Sequence, residues 1–155
     1  MNVFKPSQKI KAGIYGGLIA TLLMSVWMLA ANTLIPTRQS KPLPPEKITE
    51  ELEIKAGLKP ILTKNQHKSL SLLNHFLYGS VLAIPLSFIN AHVKTRSLGS
   101  GYGLGIWLSH YLGILPGLKL YPPATQASQR MNFIMIIAHL IWGNTANFVI
   151  RKQLS

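Results

Sequence analysis

Cysteine is absent from the 155 residues, which excludes disulfides, cysteine-ligated metals and thiol nucleophiles. Acid is almost absent: 4 Asp+Glu stand against 16 Lys+Arg, and all of the acids are glutamates between Glu46 and Glu53. Charge of either sign is scarce, at 13% of residues, about half the usual share in a soluble protein.

What is present is apolar. Hydrophobic residues reach 48% and the mean hydropathy is +0.25. A net charge of +12 on a small soluble protein would suggest nucleic acid. Here the positives lie between long apolar runs, as Lys5, Lys9 and Lys11, Lys94 and Arg96, and Arg151 and Lys152. No basic stripe is interleaved with aromatics, so the expected partners are anionic lipid headgroups and not nucleic acid.

A span needs roughly 20 apolar residues. Residues 12–35, 70–93, 98–118 and 131–150 qualify, and none has Asp, Glu, Lys or Arg in its interior. The first also resembles a signal peptide, but its apolar run exceeds the ~7–15 residues of an h-region, so a retained helix is expected. The expected fold is an all-α membrane four-helix bundle in a single domain.

Small residues recur every fourth position, which puts them on one helix face where backbones can approach closely. Gly13, Gly17, Thr21 and Ser25 do so in the first span, and Gly79, Ala83, Ser87 and Ala91 in the second. Gly101, Gly105, Ser109, Gly113 and Gly117 do so in the third. Gly143 in the fourth completes the expected packing set.

The order Tyr-Gly, Pro, Pro-Pro, His-x-x-aromatic-Gly occurs twice. It runs from Tyr15-Gly16 to His75-x-x-Tyr78-Gly79, and from Tyr102-Gly103 to His139-x-x-Trp142-Gly143. Two duplicated two-helix units, related by an axis along the membrane normal, are therefore expected. The first unit carries an insertion. Pro45 suits a first helical turn, the glutamates favour its positive end and Gly57 suits the C′ position. An amphipathic helix over 45–56 follows, lying on the membrane surface or capping the bundle. High basic density in the short segments favours both termini in the cytoplasm.

Polar side chains in hydrocarbon are functional candidates. Here they are His75, His110 and His139 with Asn144 and Asn147, joined by Asn74 and Asn90; His67 is expected in the long loop. His75 and His139 occupy equivalent places in the repeat. Facing imidazoles could hold haem iron or a metal. Alternatively each hydrogen-bonds its own neighbour and locks helix packing, which is the reading adopted. Ser109 and His110 are adjacent, so on a helix they point about 100° apart and form no dyad. No catalytic residue, metal or cofactor is assigned.

Three stretches are distinctive: Pro44-Pro45-Glu46-Lys47-Ile48-Thr49-Glu50-Glu51-Leu52, Tyr121-Pro122-Pro123-Ala124-Thr125, and Ala138-His139-Leu140-Ile141-Trp142-Gly143. In these the chain resembles the YagU-like bacterial inner-membrane proteins. That resemblance implies a bacterial inner membrane, no known biochemical activity and a loose tie to acid resistance. The expected role is a structural, accessory or pH-responsive membrane protein, as a homo-oligomer or with a membrane partner. The alternatives are an oligomeric small-solute or proton permeation protein, and a haem- or metal-binding protein using His75 and His139.

Overall fold

The computed structural model describes residues 4–34, 43–90, 92–93 and 95–155. Residue 35 at the end of the first expected span, Ala91 of the second small-residue stripe and Lys94 lie outside them. The described residues are helical, with no strand. Three helices are long and apolar enough to cross a membrane, over Pro6–Thr33, Lys64–Asn90 and Gln129–Gln153.

Helix α1 (Pro6–Leu34) starts on a proline, whose missing N–H is no loss in a first turn. Helix α2 (Pro44–Lys55) also opens on prolines, with Glu46 in its first turn. It ends in a Schellman turn: Leu58 N–H bonds Glu53 O and Gly57 N–H bonds Ile54 O. Gly57 has φ +70°, a left-handed conformation that costs a residue without Cβ little.

Helix α3 (Lys64–Asn90) begins well before the apolar run. Thr63 and Gln66 form a reciprocal capping box: Thr63 N–H donates to Gln66 Oε1 at 2.9 Å and Gln66 N–H donates to Thr63 Oγ1 at 3.3 Å. His67 therefore sits in the first turn of α3 and not in a loop, because capping extends the helix into polar sequence.

Helix α4 (Ser97–Ser109) runs into a π-helical segment, His110–Ile114, and then a short helix α5 (Leu115–Gly117). The helical run through 97–117 is about 30 Å long at 1.5 Å per residue. Helix α6 (Gln129–Gln153) is capped by Ser128, whose hydroxyl accepts from Met131 N–H at 3.2 Å.

Helix α1 packs against α3 on one side and α6 on the other, α4 packs against α6, and α2 lies on α3. Small residues allow these approaches. A Cβ on Gly17 would stand 2.5 Å from the Cα of Ser80, and one on Gly13 would stand 2.7 Å from the Cα of Ile84. On Gly79 it would overlap the Thr21 hydroxyl. Gly143 of α6 fits against Gly99 and Gly103 of α4, and a Cβ on Gly103 would overlap the His139 carbonyl.

The third-span stripe is corrected. Gly101, Gly105, Gly113 and Gly117 meet nothing within 4 Å. The packed glycines of α4 are Gly99 and Gly103, about 200° round the helix from Gly101 and Gly105 at 100° per residue. A glycine-rich segment offers several equally spaced stripes, and only the shape of α6 selects one. Large apolar side chains such as Leu22, Val26 and Leu29 on α1 are exposed, as are Leu72 and Leu77 on α3 and Phe148 on α6. That outward apolar surface suits lipid.

Candidate functional site

Helices α1, α3, α6 and the π-helical segment border a partly open cavity of about 540 Å³. Thr21, His75, Tyr78, His110, Tyr111 and His139 stand in its wall, and Ile48, Thr49 and Leu52 of α2 close one end. Among the described residues no Lys, Arg, Asp or Glu lines it.

The π turn brings the aromatic wall inward. Pro116 has no N–H and its ring crowds the carbonyl one turn earlier, which the wider turn relieves. Leu115 N–H accordingly bonds His110 O, five residues back. His110 and Tyr111 are both buried, at 6% and 7% exposure, although they are sequence neighbours. Tyr111 stacks on Trp107 and meets the rings of His139 and Tyr121 edge-on.

Hydrogen bonds assign the imidazole protons. His110 Nδ1 lies 2.8 Å from Ile106 O, and a carbonyl only accepts, so Nδ1 carries the proton. Nε2 then accepts from the Tyr78 hydroxyl, which joins α3 to the π segment. His139 Nδ1 lies 2.7 Å from Met135 O and donates to it by the same logic, leaving Nε2 as the bare acceptor of a neutral ring. His75 differs from the sequence expectation. Its Nε2 is buried and has no hydrogen-bond partner among the described residues.

Neighbouring contacts brace the wall. Trp142 N–H donates to Thr21 Oγ1 at 3.2 Å, across α6 and α1. Tyr102 O–H donates to Leu82 O at 2.8 Å, next to Val81 O, the carbonyl that Pro85 leaves without its helical donor.

The cavity thus gathers His75, His110 and His139 but not the two asparagines of α6. Asn144 is exposed, donating to Leu140 O and accepting from Ser100. Asn147 is buried and donates to Thr95 O and Arg96 O at 3.2 and 3.1 Å, tying the α3–α4 connection to α6. Asn90 is also buried and bonds Leu86 O within its own helix, whereas Asn74 lines the cavity. Ser109 Oγ does reach His110 Nδ1, at 3.2 Å. Both groups donate to Ile106 O, so Nδ1 is protonated and is no base for that hydroxyl. Among the described residues no group of three or more His, Cys, Asp or Glu could hold a metal ion.

Two features escaped sequence reading. The Tyr78–His110 bond joins residues of different helical segments, and only Pro116 hinted at an irregular turn nearby. The second lies beneath the cap, where Glu53 is 3% exposed and its carboxylate is 2.8 Å from His67 Nδ1. Lys47 of α2 lies over the Tyr121 ring at 5.8 Å, which adds a cation–π tie.

No curated protein and no solved structure matches the chain. Residues 8–148 match the family described as "Protein of unknown function (DUF1440)", and the chain belongs to that family.

Proposed function

We propose that this chain is a four-span bacterial inner-membrane protein, non-enzymatic, that holds a small uncharged molecule in its intramembrane cavity. The observation that carries this is the cavity wall: about 540 Å³, three histidines from three helical segments and, among the described residues, no charged side chain. Concave, mostly apolar sites with a few convergent polar groups are how proteins hold small molecules. A charged ligand would lie there without a counter-charge, at high cost in hydrocarbon.

The run through 97–117 serves as the remaining span, so both termini share one side, which we place in the cytoplasm. The duplication reading is supported by likeness between the helix pairs: α1 meets α3, and α4 meets α6, each through glycines. The halves also meet asymmetrically: α1 packs on α6, whereas α3 and the π segment border the cavity and are joined by the Tyr78–His110 hydrogen bond. Anionic headgroups meet the basic ends, and the exposed apolar surface accepts lipid, a second copy or a membrane partner. The resemblance to YagU-like proteins fits this setting.

The test is solvent extraction of protein purified from its native membrane, as wild type and as Ile106→Trp, which fills the cavity. An uncharged molecule present in the first and missing from the second supports the reading. Identical extracts overturn it.

A further inference from the structure

We propose that the cavity takes a lipophilic alcohol or phenol, loaded sideways from the bilayer between α3 and the α4–α5 run; this rests on the ligand-holding reading above.

The donor requirement comes from His139. Its Nδ1 proton is committed to Met135 O at 2.7 Å, so a neutral ring presents Nε2 as a lone pair. Protonating Nε2 would place an imidazolium in a wall without a carboxylate. Tyr78 already donates to His110 and Trp142 N–H to Thr21, and among the described residues no hydrogen bond reaches His139 Nε2. A ligand that only accepts, such as a ketone or an ether, leaves Nε2 unsatisfied. A hydroxyl satisfies it. The same hydroxyl oxygen can accept from His75, whose buried Nε2 has no partner among the described residues and whose tautomer they leave unconstrained.

The route comes from exposure. Leu77, Tyr78 and Val81 of α3 and Leu118 beyond α5 line the cavity, yet they are 49–59% exposed. They lie at the open side, on helices whose outward surface is apolar, so that opening faces acyl chains. The water-side end is closed by α2, anchored through the Glu53–His67 pair. A hydroxyl lipid partitions into the bilayer and meets the lateral opening first, with its apolar body against leucine and valine and its hydroxyl at the histidines.

The experiment uses the full chain in nanodiscs with farnesol as probe, compared with farnesyl methyl ether, which cannot donate, and farnesyl phosphate. Quenching of tryptophan fluorescence reads binding, since Trp142 lines the cavity. Farnesol should bind about tenfold more tightly than the ether, the worth of one buried hydrogen bond. The phosphate should not bind. His139→Leu should equalise alcohol and ether, and His139→Gln, whose amide oxygen still accepts, should restore part of the preference. Equal binding of alcohol and ether by the wild type would overturn the hydroxyl inference and leave the ligand-holding reading standing. Failure of all three probes to bind would overturn the hydroxyl inference, while the extraction experiment decides the broader reading separately. For the route, Val81→Trp should slow farnesol uptake several-fold and Glu53→Gln should leave it unchanged. Faster uptake in Glu53→Gln with no change in Val81→Trp would place the opening under α2 and overturn lateral loading.

Discussion

Glu53 of α2 and His67 of α3, 14 residues apart, meet with Nδ1 2.8 Å from one carboxylate oxygen and 2.9 Å from the other. The carboxylate is 3% exposed, so its buried oxygens rely on that imidazole for a hydrogen bond. His67→Ala should therefore destabilise the protein by about 2 kcal/mol, the cost of leaving a buried acceptor without its hydrogen-bond partner. Glu53→Gln should cost less, because the neutral amide keeps a hydrogen bond to the imidazole. Thermal unfolding in detergent, with proteolysis of the α2 segment as a second readout, checks the order. Equal stability of His67→Ala and wild type would show that the pair does not anchor α2.

The neighbouring Glu50–Lys59 pair is a surface contact and should behave differently. The hydrogen bond from Lys59 holds the Glu50 carboxyl below its ordinary value of 4.5, against an opposing push from burial. A lowered carboxylate value means that its contribution is present above pH 4.5 and fades as acid protonates it. Lys59 is raised above 10.5 by the same hydrogen bond, so its contribution persists below that value and is lost in strong alkali. Glu50→Gln should barely move the melting temperature at pH 7, because exposed pairs are screened by water. A large loss at pH 7 that vanishes in acid would contradict this.

Glycines spaced alike in the chain should respond oppositely to alanine. Gly17→Ala pushes a Cβ to 2.5 Å from the Ser80 Cα, which only backbone movement relieves. A loss of about 2 kcal/mol is expected. Gly105→Ala meets nothing within 4 Å and gains helix propensity, so it should be neutral or stabilising by up to about 1 kcal/mol. Melting temperatures in one detergent compare the two directly, and the reverse order would mean that Gly105 is covered by a partner.

Removing the Tyr78 hydroxyl should leave a local signature. In Tyr78→Phe, His110 keeps its proton on Nδ1, held by Ile106 O, while Nε2 loses its donor. Nitrogen-15 spectra of labelled histidine should show the Nε2 resonance alone moving. The stability loss should be about 0.6 kcal/mol, typical of side-chain hydrogen bonds inside membranes. Movement of both nitrogens would mean that the tautomer depends on Tyr78.

Topology can be read with few alterations because the chain has no native thiol. Lys59→Cys places one thiol on an exposed site beside α2. A membrane-impermeant maleimide should label it from outside, and a cytoplasm-dependent reporter fused after Ser155 should be active. Labelling only after lysis, with an inactive reporter, would invert the orientation.

Much of this architecture was legible in the residues because membrane partition is a sum over local side chains. Apolar runs, Pro45 with its glutamates, and Gly57 each act within a few positions, so spans and the surface helix could be read one segment at a time. The capping box at Thr63 and Gln66 is equally local; it lies outside the apolar run and so beyond a reading based on hydropathy. His75, His110 and His139 stood out because imidazole in hydrocarbon demands an explanation. What the tertiary structure decided is everything that depends on which surfaces meet. Only contact with α6 chose Gly99 and Gly103 over the Gly101–Gly105 stripe of identical spacing. Only the π turn before Pro116 put both His110 and Tyr111 inward. The cavity bordered by α3 and the π segment, and the Glu53–His67 anchor over it, join residues far apart in the chain, and their energies exist only once the helices have packed.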